Sequence, residues 1–182
     1  ISKGLVGSEM CIRDRYNVEQ LEILRGPNAL LFGRGGTGGL INRVSKKAEI
    51  GEAFGSFDFG ADSFGATDLA VDANFTTSDT TAVRLNLHTD QLANHRDFYE
   101  GERYGINPTF KIVAGDTIVD LSYEYADHER FIDRGIPTAN NRPVESLKDV
   151  VFGVEGLNLQ TLEASILRAN IAHDYSDNGK FN

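Results

Sequence analysis

Residues 32–40 read FGRGGTGGL, and Gly33, Gly35 and Gly38 satisfy a literal G-x-G-x-x-G. Such a loop could cradle a pyrophosphate, because glycines allow close backbone approach and a following helix N-terminus offers free N–H groups. The chemistry therefore requires a helix directly after the loop. The next residues are LINRVSKKAE (40–49), in which Ile41, Arg43 and Val44 make no helical stripe. A phosphate-binding P-loop would need Gly-Lys-Ser/Thr, and no lysine follows these glycines. The glycines are better suited to positive φ and close packing in a turn. The four histidines, His88, His95, His128 and His173, lack metal-ligand spacing. No Gly-x-Ser-x-Gly occurs, and no Ser/His/Asp order suggests a triad. The single cysteine, Cys11, excludes an internal disulfide framework.

Strands must position whatever chemistry remains. Thr67, Leu69, Val71, Ala73 and Phe75 alternate with Asp68, Ala70, Asp72, Asn74 and Thr76. Val83, Leu85 and Leu87 alternate with Arg84, Asn86 and His88, after a polar turn at 77–81. Ile106, Phe110 and Ile112 share a register within 104–113, and AGDT (114–117) is a tight turn. Val119, Leu121, Tyr123 and Tyr125 alternate with Asp120, Ser122 and Glu124, and a last strand is expected near 165–175. The connections at 77–81, 114–117 and 176–180 are short, whereas those at 92–103 and 129–160 are long; the first loop, near 61–65, is the exception. DHERFIDR (127–134) reads as the start of a solvated loop. Strands of about ten residues, with short turns at one end and long loops at the other, suit an outer-membrane barrel. Lipid cannot satisfy backbone hydrogen bonds, so the strands must pair in a closed sheet, apolar face to lipid and polar face to water. A soluble β-sandwich also alternates, but its strands are shorter and its loops have no reason to segregate.

Charge divides along the chain. The net charge of −9 argues against a nucleic-acid partner. Residues 16–48 hold five basic and two acidic groups, a net of +3; residues 49–182 hold ten basic and twenty-three acidic, a net of −13. The basic segment and the acidic β region could dock. No apolar run is long enough for a transmembrane helix. LVGSEMCIRDR (5–15) resembles a translated sequencing-adapter remnant, so 1–15 is expected to be an artefact, and the chain reads as a fragment.

The stretch VEQLEILRGPNALLFGRGGTGGLINRVSKKA (18–48) resembles the end of the plug domain of TonB-dependent outer-membrane receptors, with Ala48 where proline is common. DRGIP (133–137), NRP (141–143), LR (167–168) and AHDYSDN (172–178) resemble the ferric-siderophore branch. The resemblance implies a β fold: the C-terminal part of a globular plug over 16–48, then the first six or seven strands of a transmembrane antiparallel barrel over 49–182. In the family that barrel has about 22 strands. It implies no catalysis and no cofactor, but import of an Fe(III)-siderophore across the outer membrane of a Gram-negative bacterium. The inner-membrane TonB complex would act through an N-terminal box lying outside this chain, and outer-membrane lipid would surround the wall. Cobalamin, haem or an oligosaccharide is the alternative cargo, and a soluble nucleotide-binding enzyme or a passive porin are the readings of different class.

By the same resemblance, Arg25, Gly26, Pro27, Gly33, Gly38, Gly39 and Arg43 would contact the barrel from the plug. Arg25 would look toward wall carboxylates such as Asp68, Asp72, Asp120 or Glu124, since a guanidinium suits a bidentate carboxylate. His95, Arg96, Tyr99, Arg130 and Arg134 would reach the chelate from the long loops, because cations and aromatic rings suit an anionic, ring-bearing ligand.

Overall fold

A computed structural model describes residues 16–24, 40–176 and 179–181. Two strands, β1 (Val18–Leu24) and β2 (Leu40–Ser45), form an antiparallel hairpin, with Leu21 opposite Arg43 and Ile23 opposite Ile41. The residues after the glycine loop are thus a strand, and the helix that a dinucleotide fingerprint needs is not there. Arg25, Gly26, Pro27, Gly33, Gly38 and Gly39 lie outside the described residues, as do 1–15.

A second sheet is built from β3 (Phe54–Ala61), β4 (Thr67–Ser78), β5 (Thr81–Ala93), β6 (Glu100–Ala114) and β7 (Thr117–Phe131). A two-residue pair, β8 (Thr138–Ala139) with β9 (Arg142–Pro143), interrupts the chain before β10 (Leu159–Ser176) and β11 (Gly179–Phe181) complete the sheet. Its spatial order is β11-β10-β7-β6-β5-β4-β3, an antiparallel meander in which each strand pairs with the next strand of the same sheet, β7 with β10 across the β8–β9 insertion. β4–β5 and β6–β7 turn tightly, at Asp79–Thr80 and at Gly115–Asp116 with Gly115 at φ +58°. At the other end, β5–β6 is joined by 94–99 and β7–β10 by 132–158.

Several strands run further than their polarity suggests. β7 continues through 127–131, where the sequence suggests a solvated loop, and β10 begins at Leu159. A strand crosses the hydrocarbon layer in about 9–11 residues, yet β6 and β7 have 15 each and β10 has 18. The excess includes charged stretches such as 127–130 of β7. The backbone ladder persists there although no alternation of polarity marks it.

The two faces of the sheet are inverted relative to a soluble protein. The face toward the hairpin buries Asp72, Asn74, Arg84, Asn86, His88, Arg103, Asn107 and Thr109. The opposite face carries Phe57, Phe59, Phe75, Ile106, Phe110, Ile112, Leu121, Leu167 and Ile171, all exposed, with Leu167 at 77% and Phe57 at 68%. Among the described residues the buried apolar side chains are only Ala48, Ala82, Leu92 and Phe131. A contiguous apolar face of this breadth is not left to water by a soluble monomer.

Toward the long-connection end of that face stand Tyr104, Tyr123 and Tyr125. The rings of Tyr104 and Tyr125 lie 6.1 Å apart, and their hydroxyls donate to Asp127 (2.9 Å) and Glu163 (3.3 Å). Rings with an apolar body and a wet tip are what an aromatic girdle at a lipid–water boundary requires.

Candidate functional site

The hairpin sits on the polar face through a cluster of charges centred on Asp72 of β4. Alternation along β4 and β5 turns Asp72, Asn74, Arg84, Asn86 and His88 to the same side, and the register places Asp72 opposite Asn86 and Asn74 opposite Arg84. Arg84 grips Asp72 with two parallel bonds of 2.8 Å, Nε to Oδ1 and Nη2 to Oδ2. Lys46, just past β2, meets the same carboxylate at 2.8 Å. Arg84 also reaches across to the linker. Its Nη1 donates to the Lys47 carbonyl (3.0 Å) and faces Glu49 (3.2 Å) and Glu19 of β1 (3.1 Å), while Phe54 lies 5.0 Å below its guanidinium carbon. With its side chain 4% exposed, Arg84 is a buried cation that needs these acceptors.

Backbone contacts extend the docking on both sides. Lys46 Nζ donates to the Tyr16 carbonyl at 2.8 Å, and the Asn86 amide nitrogen is placed to donate to Asp72 and to that same carbonyl, each at 3.1 Å. Asn74, wholly buried, accepts from Glu49 N–H (3.0 Å) and donates to the carbonyls of Glu49 (2.8 Å) and Glu52 (2.7 Å). Thr76 accepts from Gly51 N–H and donates to the Glu52 carbonyl. An amide and a hydroxyl thereby supply the linker with partners that a neighbouring strand would otherwise give.

Tyr16 lies flat on His88, with centroids 4.4 Å apart and planes 3° from parallel. Gly105 of β6 makes the room. A Cβ there would stand 2.8 Å from Tyr16 Oη and 2.9 Å from His88 Nδ1. Beside this stack a cavity of about 600 Å3 opens on the polar face, with Asp58, Asp68, Asp90 and Arg103 in its lining.

Of the carboxylates singled out on the wall, Asp72 is taken by Lys46 and Arg84, Asp120 by Lys47 at 3.0 Å, and Glu124 by Arg168 at 2.9 Å. Arg43 is exposed on β2 and its guanidinium donates to Asn17, inside the hairpin unit. Lys46, Lys47, Arg84 and Asn74 were not singled out from the sequence as contact residues. Alternation on β5 would have placed Arg84 on the polar face, and the SKK run after β2 is the corresponding basic signal.

The loop candidates separate into two kinds. Arg96 is bound by Asp133 and by the carbonyls of Lys148 (2.9 Å) and Val150 (2.8 Å). Arg130, on β7, donates to Gln160 of β10. His95 and Arg134 are exposed, His95 edge-on to Phe64 at 6.3 Å, and Tyr99 is half-buried. Among the described residues no group of three or more His, Cys, Asp or Glu is arranged to hold a metal ion.

No family model matches the chain. It is similar to the "Probable TonB-dependent receptor BfrD" of Bordetella pertussis, 33% identical over 128 residues, 69% of this chain and 17% of that protein. It is 28% identical over 184 residues to the "Probable TonB-dependent siderophore receptor PiuA" of Acinetobacter baumannii, 96% of this chain and 25% of that protein. The "Catecholate siderophore receptor Fiu" of Escherichia coli K12 is 34% identical over 134 residues, 69% of this chain and 17% of that protein. In fold, the crystal structure of the closed form of Fiu superposes with a TM-score of 0.78 at 24% identity, over 91% of this chain and 25% of that one. The ferripyoverdine receptor of Pseudomonas aeruginosa gives 0.72 at 20% identity, over 88% and 22%. The chain thus spans a quarter or less of the length of these curated relatives, and all of them are receptors rather than enzymes.

Proposed function

Since the chain belongs to the TonB-dependent receptors, we propose that the protein it forms part of imports an Fe(III)-siderophore across the outer membrane of a Gram-negative bacterium, energised through TonB. The observation that carries this reading is the occupied polar face. A passive porin leaves its lumen to water, whereas here the hairpin and its linker are fastened to the wall by Lys46, Arg84, Asn74 and Thr76. A plugged lumen requires work to open, and a coupled inner-membrane complex is a source of that work.

In this reading residues 16–48 are the end of the plug and 49–182 the first strands of the wall, and Arg25, Gly26, Pro27, Gly33, Gly38 and Gly39 add contacts to those of Lys46 and Lys47. His95, Tyr99 and Arg134 are the loop side chains best placed to meet an anionic chelate. The names of the relatives favour a siderophore, catecholate in one case, over cobalamin, haem or an oligosaccharide.

The test is uptake of radiolabelled ferric catecholate, hydroxamate and pyoverdine-type chelates by iron-starved cells expressing the full-length gene, with and without TonB. Uptake that vanishes without TonB is the expected result. Equal uptake in both strains refutes energised import. Uptake of haem or cobalamin in place of every iron chelate refutes the cargo.

A further inference from the structure

Arg96 lies in the six-residue connection 94–99, between β5 and β6, and holds two distant points of the 132–158 connection at once. Its guanidinium pairs with Asp133, at the start of that connection, and donates to the carbonyls of Lys148 and Val150 further along it. The two side chains are largely buried, 14% exposed for Arg96 and 8% for Asp133. Asp133 also accepts from Gly135 N–H at 2.9 Å, and Asn94 accepts from Arg96 N–H at 2.8 Å, so both ends of the pair are themselves held.

The rest of the long connection is stitched to the same place. Ile132 N–H donates to the Asn158 carbonyl at 2.7 Å, and Val154 N–H to the Asn158 side chain at 2.8 Å. Phe131 is 2% exposed and packs on Gly153, where a Cβ would stand 2.7 Å from its ring. The small hairpin β8–β9 turns through Asn140 and Asn141 at φ 50° and 60°. Arg142 rides on it, exposed.

We propose that Arg96 is a positioning residue. It does not meet the chelate but ties the 94–99 and 132–158 connections into one body, and so holds Arg134 and the β8–β9 hairpin ready for the ligand. The inference rests on the import reading. A planar fork with five donors can satisfy one carboxylate and two carbonyls together, and a lysine ammonium on a flexible stem cannot match that geometry. Preorganising a binding loop removes an ordering cost from the binding step.

The test uses the full-length receptor in outer membranes, comparing Arg96→Ala and Arg96→Lys with the parent by hydrogen exchange and by uptake of a radiolabelled iron(III)–catecholate chelate. Amide exchange is expected to rise about tenfold or more in 94–99 and 132–158 together, the ratio for one lost charge-assisted hydrogen bond. KM is expected to rise about tenfold with the maximal rate and receptor level unchanged, and Arg96→Lys does not rescue either readout. Exchange that rises in neither connection, or only in 94–99, overturns the proposal. So does a KM within about twofold of the parent, or restoration by lysine. If the parent fails to take up the chelate, the import reading or its cargo has failed, and the exchange experiment alone decides the clamp.

Discussion

Replacing Asp72 by Asn keeps the shape of the side chain and removes the negative charge that faces two cations. Arg84 would lose its fork but keep the Lys47 carbonyl, Glu49 and Glu19 at 3.0–3.2 Å. Lys46 would lose its carboxylate at 2.8 Å and keep the Tyr16 carbonyl. Of these losses, only the Lys46 contact spans hairpin and wall; the Arg84–Asp72 pair lies within the wall. A hydrogen bond to a charged group contributes about 1.5–3 kcal/mol, so docking of the hairpin should weaken by about that much. The corresponding factor in opening is about ten to a hundred and fifty. Hydrogen exchange of the β1 and β2 amides in the full-length receptor reads this directly. Raising the salt should change the result little, because both partners are shielded from solvent. Glu22→Gln is the control, since Glu22 accepts from Asn42 within the hairpin and does not touch the wall. Exchange in Asp72→Asn within about twofold of the parent would refute the idea that the wall charge holds the hairpin.

Gly105→Ala places a methyl 2.8 Å from Tyr16 Oη and should cost about 1–3 kcal/mol; loss of protection confined to the start of β1, with β5–β6 amides unchanged, is the expected exchange pattern. Asn74→Ala strips the linker of three hydrogen bonds and should cost about 2–3 kcal/mol, seen as new proteolysis between Lys46 and Phe54 in the folded receptor. Leu167→Arg, on the exposed apolar face, should lower stability in lipid vesicles by about 2–4 kcal/mol if that face meets the bilayer. Urea titration in vesicles measures it, and a change under about 0.5 kcal/mol, ordinary for a surface site in water, would sink the lipid assignment.

Legibility in the sequence tracks the polarity of the surroundings. Between Thr67 and Thr76 one face is apolar and the other carries the polar side chains that hold the hairpin and its linker, so the period of two is plain. At 127–130 both faces carry charged or polar side chains. Asp127 and Glu129 point one way and His128 and Arg130 the other, and no alternation reveals the ladder that continues through them. The register of a sheet is local information, but the seat of a docked segment is not. Asp72 is recognisable as a polar-face carboxylate, whereas its pairing with Lys46, twenty-six positions earlier, depends on how the linker lies across β4. Arg96 shows the same limit from the other side. Its charge and its place in a long connection suggest a ligand contact, and nothing in NHRDFY (94–99) tells that the carbonyls of 148 and 150 come to meet it. A loop cation serves ligand or loop according to how many acceptors surround it, and here three of them do. The exposed Arg134, one residue beyond Asp133, is free of that demand in the same connection, which makes the pair a direct comparison of the two roles.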